Sequence, residues 1–140
     1  MRLDERYSTK EYDIDVHKCI RCGFCTTICP VYDFSEWESE SPRGRMQVIK
    51  RLNDGKLKLN SSVRDRMFEC TLCGYCKFKC PARVRTVDAI KAARLQLVIS
   101  GFTPEPLIAL GRAVVERKNI FNNPSESRLD WIDDTGLQNL

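Results

Sequence analysis

Outside two short segments the chain has no cysteine, and its 140 residues contain a single histidine, His17. It also lacks a Gly-rich phosphate loop, paired carboxylates, a nucleophile set beside a base, and any pair of adjacent cysteines. No catalytic residue of the chain's own is therefore expected. Long apolar runs are missing too. The longest, 95–99 and 107–115, are short, the second is broken by Arg112, and neither approaches the roughly 20 residues of a membrane span. The opening Met1-Arg2-Leu3-Asp4-Glu5-Arg6 is charged throughout, which predicts no secretory leader and a cytoplasmic location, where thiols stay reduced.

What is present is concentrated. Cys19-Ile20-Arg21-Cys22-Gly23-Phe24-Cys25-Thr26-Thr27-Ile28-Cys29-Pro30 recurs in pattern as Cys70-Thr71-Leu72-Cys73-Gly74-Tyr75-Cys76-Lys77-Phe78-Lys79-Cys80-Pro81. All eight cysteines lie in these segments, each reading C-x-x-C-x-x-C-x-x-x-C-P, the spacing of bacterial-type [4Fe–4S] ligation. Three thiolates three residues apart wrap one face of a cubane, and the fourth, carried onward and followed by proline, reaches a neighbouring cluster. The expectation is two [4Fe–4S] clusters and electron transfer. Cys19, Cys22, Cys25 and Cys80 should hold one cluster, and Cys70, Cys73, Cys76 and Cys29 the other.

Two competing chemistries use cysteines at such density. Four disulfides would need a secretory context and longer reaches than three cysteines within seven residues offer. A zinc ribbon brings two cysteines per segment and closes with four ligands in all, half of what is found.

Formal charge is +4 with neutral thiols, from 23 Lys and Arg against 19 Asp and Glu. A four-thiolate [4Fe–4S] cluster carries about 2−, so two clusters bring the protein near neutrality. The basicity is thus no argument for nucleic acid, which needs a basic stripe that survives in the loaded protein. With eight cysteines used as ligands the aliphatic core is thin, and the clusters should act as staples without which the chain folds poorly.

Along the chain, 1–18 reads as an N-terminal arm able to pair as a strand, since Tyr12, Ile14 and Val16 alternate with acidic residues. Residues 19–118 read as one helical two-cluster domain, and 119–140 as a docking tail carrying Phe121, Leu129 and Trp131 in polar surroundings. Ser41-Pro42 opens a helix over about 43–52, stopped by Asn53-Asp54-Gly55. Ser61 and Ser62 offer caps for a second, Thr86 for a third over about 87–100, and Thr103-Pro104-Glu105 starts a fourth over about 104–118. The fold class is all-α, an alpha-helical ferredoxin-like domain with extended terminal arms.

Within the loops, Gly23 and Gly74 should permit tight turns that aim N–H groups at sulfur, and Phe24 and Tyr75 should shield the clusters. Pro30 and Pro81 should fix the exit of each loop. The cations Lys77, Lys79, Arg83 and Arg85 should raise the potential of the second cluster. His17 reads as an exposed arm residue.

The paired motifs with a helical spacer resemble the C-type iron–sulfur subunit of heterodisulfide reductase. They are also similar to the N-terminal module of glycolate and lactate oxidation iron–sulfur subunits, and distantly to the succinate dehydrogenase iron–sulfur domain. Ser41-Pro42-Arg43-Gly44-Arg45, Glu69-Cys70-Thr71-Leu72-Cys73-Gly74, and Asn123-Pro124 with Glu126, Arg128 and Trp131 are closest to the hydroxyacid-oxidising branch. The likeness covers about 15–131. It implies a cytoplasmic hetero-oligomer in which this subunit relays electrons between a flavoprotein and a Cys-Cys-Gly-type iron–sulfur subunit. In fused relatives Cys-Cys-Gly segments follow such a module; here they are absent, so by analogy the catalytic part is another polypeptide. A relay for a lactate/glycolate-type dehydrogenase and a free diffusible ferredoxin are the alternatives.

Overall fold

A computed structural model describes residues 9–130 and 132. Among these the chain is helical, with short 3-10 turns and no strand. It divides into two compact units, one ending at Phe102 and the other beginning at Thr103.

The first unit is built from α1 (Asp13–Lys18), α2 (Pro30–Ser35), α3 (Pro42–Asn53), α4 (Ser61–Phe68), α5 (Tyr75–Lys79) and α6 (Thr86–Ile99). Apolar residues at helical spacing define its core: Met46 and Ile49 of α3, Val63 and Met67 of α4, and Ile90, Ala93 and Leu97 of α6 are all buried together with Val16. Sequence punctuation sets the helix starts. Ser41 accepts from the Gly44 amide at 2.9 Å while Pro42 occupies the first turn of α3. The cap of α4 is Asn60, whose side chain accepts from Val63 N–H at 3.0 Å, rather than the serines after it. Pro30 starts α2 directly at the end of the first cysteine motif, so the aromatic-acidic stretch 31–42 is partly helical.

The N-terminal segment departs from its alternating pattern. Thr9–Tyr12 forms a 3-10 turn and Asp13–Lys18 a helix, because Val16 is wanted in the core and Asp15 at the start of α6. Arg85, at the N-cap of α6, supplies no side-chain cap of its own; its amide donates instead to Asp15 Oδ1, 70 residues upstream, at 3.0 Å. The Arg85 guanidinium bonds the same carboxylate at 2.9 Å and lies 4.7 Å over the Tyr12 ring. A carboxylate at a helix N-terminus is also favoured by the helix dipole. Residues 1–8 of the expected arm lie outside the described residues.

The second unit contains α7 (Glu105–Arg117), ended by Lys118 at φ 54°, and a 3-10 turn Ser125–Leu129 tied back by Arg128 donating to the Lys118 carbonyl. Phe121 and Leu129 are exposed. Trp131 and 133–140, also part of the expected tail, lie outside the described residues.

Candidate metal centres

The two cysteine loops follow the same backbone course. Arg21 and Gly23 in the first, and Leu72 and Gly74 in the second, occupy matched positions, with φ of 58°, 86°, 56° and 86°. The glycines take this left-handed conformation without steric cost, whereas Arg21 and Leu72 each store about 1 kcal/mol. Duplicated sequence has produced duplicated geometry. Amides then reach sulfur: Leu72 N–H donates to Cys70 Sγ and Val84 N–H to Cys80 Sγ, both at 3.4 Å.

Two cavities open between the loops. One is bounded by Cys29 from the first motif and by Cys70, Cys73 and Cys76 from the second, with Ile28, Val31, Leu72, Val87 and Ile90 as apolar walls. The other is bounded by Cys19, Cys22 and Cys25 from the first motif and Cys80 from the second, with Ile20 and Ala82. No carboxylate and no histidine borders either. Among the described residues no three Cys, His, Asp or Glu side chains converge on a position for a single metal ion. Four thiols spread around an apolar recess suit a cluster of several irons better than tetrahedral zinc.

The thiols are electrostatically linked. Burial, then the proximity of Cys70 and Cys25, pushes the Cys76 thiol up to about 11. Burial also raises the Cys25 thiol against the pull of Thr26, with Cys19 and Cys80 adding to it. These sulfurs are protonated at neutral pH without metal, so iron binding must expel their protons. Cys22 and Cys73, the second cysteine of each motif, are exposed and give each cavity a solvent-facing edge.

Several sequence expectations change here. Phe24 is 61% exposed and does not border the Cys19 cavity, whereas Tyr75, though 60% exposed, lines the Cys70 cavity beside its aliphatic walls. Lys77 and Arg85 turn to the carboxylates of Asp88 and Asp15, at 3.1 and 2.8 Å, which offsets their charge. His17 is exposed and bonds within its own helix, as expected.

Three arginines that composition gives no reason to single out matter more. Arg43 borders the Cys19 cavity, donating to the Arg21 carbonyl at 3.3 Å and, bidentately, to Glu38 at 2.7 and 2.9 Å. Arg45, fully buried, borders the Cys70 cavity and donates to the Arg66 and Glu40 carbonyls. Arg94 donates to the carbonyls of Met67, Phe68 and Cys70. Arg45 and Arg94 thereby satisfy the free carbonyls at the end of α4 and set where the second loop begins. In the sequence Arg45 appears only within the 41–45 stretch that carries the family resemblance, and Arg94 has no signal of its own.

A 4Fe-4S dicluster domain model matches residues 15–84. The chain is 31% identical over 114 residues to the glycolate oxidase iron-sulfur subunit of Escherichia coli, covering 79% of this chain and 28% of that protein. It is 36% identical over 94 residues to a probable glycolate oxidase iron-sulfur subunit of Bacillus subtilis, covering 66% and 21%. It is 32% identical over 98 residues to a subunit of the H(2):CoB-CoM heterodisulfide,ferredoxin reductase of Methanothermobacter marburgensis, covering 70% and 49%. The chain thus spans between about a fifth and a half of these curated relatives.

Proposed function

The chain belongs to the 4Fe-4S dicluster domain family, with eight cysteines for two [4Fe–4S] clusters, and we propose that it is an electron-relay subunit of a larger oxidoreductase. When bound, each cluster supplies a site that accepts and returns one electron. The residues of this chain do the rest. Cys19, Cys22, Cys25 and Cys80 hold one cluster and Cys70, Cys73, Cys76 and Cys29 the other. Ile28, Val31, Val87 and Ile90 keep water from one side of the Cys70 cavity. The solvent-facing edges at Cys22 and Cys73 give a donor and an acceptor separate places to approach.

The observation that carries this reading is the pair of adjacent cavities, each with three cysteines of one motif and the last of the other. Cys25 of one site is close enough to Cys76 of the other to contribute to the rise of its thiol, which supports electron transfer between the two sites. The relatives' names are those of subunits of larger oxidoreductases, which supports a hetero-oligomer; on the motif resemblance we infer that the chain sits in a cytoplasmic complex between a flavoprotein and a Cys-Cys-Gly-type iron–sulfur subunit. Placement in a lactate/glycolate-type dehydrogenase is the second reading, favoured by the likeness to two glycolate oxidase subunits. A free diffusible ferredoxin is the third, and isolation without partners would favour it. Among the described residues no helix is long and apolar enough to cross a membrane.

The test is anaerobic purification with metal and sulfide analysis, followed by EPR of cysteine variants. About eight irons and eight sulfides per chain are expected. Cys80→Ala should remove the same cluster signal as Cys22→Ala, and Cys29→Ala the same signal as Cys73→Ala. Stoichiometric zinc without visible absorption ends the iron–sulfur reading, and pairing of Cys80→Ala with Cys73→Ala ends the crossed assignment.

A further inference from the structure

The stretch Pro42-Arg43-Gly44-Arg45, at the start of α3, sends one guanidinium to each cysteine-lined cavity. The two are not equivalent. Arg43 is partly exposed and its charge is matched by the bidentate Glu38 carboxylate. Arg45 has no exposed surface, and both its bonded nitrogens, Nε and Nη1, donate to uncharged backbone carbonyls. The neighbouring carboxylates, Glu40 and Glu69, pair with Arg66 instead. The remaining nitrogen, Nη2, is buried and has no partner among the described residues.

A buried cation with an unsatisfied donor is strongly unfavourable unless an anion completes it. The apolar walls and four cysteines of the cavity that Arg45 borders leave one candidate for that anion. We propose that Arg45 Nη2 donates to a sulfur of the cluster held by Cys29, Cys70, Cys73 and Cys76, and that this raises its potential above that of the other cluster. The inference rests on the two-cluster reading and deepens it. Arg45 is a positioning and tuning residue, not a catalytic one.

The electron balance is simple. One-electron reduction takes a four-thiolate cluster from about 2− to about 3− without a change of ligands. An N–H donor and a fixed positive charge stabilise the more negative state, more so in a cavity that water does not screen. The Arg43–Glu38 pair, with near-zero net charge, gives the Cys19-side cluster no equal stabilisation. An electron shared between the two clusters therefore rests on the Cys70 side. The relay acquires a direction, from the edge at Cys22 toward the edge at Cys73. Of the four cations expected in this role from the sequence, Lys77, Lys79, Arg83 and Arg85, Lys77 and Arg85 are paired with carboxylates and contribute less.

Two measurements on anaerobically purified holoprotein test this. In protein labelled with 15N-arginine, pulsed EPR of the reduced state should show hyperfine coupling to an arginine nitrogen. That coupling should be lost in Arg45→Lys and kept in Arg43→Lys. Its absence from the wild type overturns the proposal, and needs no variant to fold. In redox titrations, Arg45→Met should shift the oxidised-to-reduced ratio of one cluster about tenfold toward the oxidised form, or about 59 mV for a one-electron couple. The neutral double exchange Asp54→Asn with Lys56→Gln, at an ion pair beyond the far end of α3 that borders neither cavity, should leave both potentials nearly in place. Unchanged potentials in an Arg45→Met protein holding eight irons overturn the role of Arg45 alone, whereas a wild type with fewer irons overturns the two-cluster reading beneath it.

Discussion

Replacing Gly44 with alanine sets two rules of helix stability against each other. Gly44 lies in the first turn of α3, and by propensity alone alanine in a helix gains about 1 kcal/mol over glycine. The site forbids it. An added Cβ would stand 1.8 Å from the Glu38 carbonyl oxygen, 2.7 Å from its carbon and 3.0 Å from Ser39 Cα. All three are backbone atoms, so no rotamer change relieves the clash, and the Glu38–Glu40 turn must retreat by more than about 1 Å. That turn is pinned: the Glu38 carbonyl accepts from Ser41 N–H at 3.0 Å, its carboxylate holds Arg43, and Glu40 receives both Arg45 and Arg66. Overpacking costs about 1–3 kcal/mol and each buried bond broken about 1–3 more. Net of propensity, Gly44→Ala should destabilise the first unit by about 2–4 kcal/mol. Loss of visible absorption on heating, at a fixed scan rate, should then come roughly 10–20 °C earlier. Gly111→Ala is the matched control: it is a helical glycine with nothing within 4 Å of the added carbon, and it should be neutral or stabilising. If Gly44→Ala behaves like Gly111→Ala, the close packing of α3 on the 38–40 turn is wrong.

Three further outcomes follow from other parts of the fold. Asp15→Ala removes the distant cap of α6 and a buried partner of Arg85, and should cost about 2–4 kcal/mol in denaturant titration. Burial pushes the Asp15 carboxyl up, but the Arg85 guanidinium and amide outweigh it and leave it below its ordinary value. Its contribution is therefore whole above about pH 4 and lost as pH falls through the folded value, and Asp15→Asn should lack that part of the acid sensitivity. Deleting 119–140, with its exposed Phe121 and Leu129, should leave eight irons per chain yet abolish co-purification with the catalytic partner. Retained partner binding, or loss of iron, would count against a docking role for the tail.

The cysteine pattern alone conveyed most of the site, because ligand spacing is a local property and two copies of it agree. Helices with periodic apolar faces and local caps, α3 above all, were legible for the same reason. What was not legible depends on partners far along the chain. The alternation of Tyr12, Ile14 and Val16 suggested a strand, and only the distant amide of Arg85 explains why Asp15 and its neighbours are helical. The same holds for Arg45 and Arg94, which look like surface cations in sequence and cap α4 in the fold. Phe24 misleads in the opposite sense, as an aromatic residue beside ligands that faces water, while its counterpart Tyr75 does line a cavity.

The exchange of the last cysteine between motifs has a bearing on assembly and damage. Under the proposed ligation neither loop can finish its own cluster, since Cys80 must come from one side and Cys29 from the other. Filling of one site should then favour filling of the other, so that in the wild type chains carrying four irons are a minority. Oxidative loss of one cluster frees a cysteine that had been holding the opposite loop in place, and the strained turns at Arg21 and Leu72 can relax once released. A single oxidative hit therefore leaves the remaining cluster less firmly held. A half-loaded relay, able to take an electron and unable to pass it on, would be short-lived.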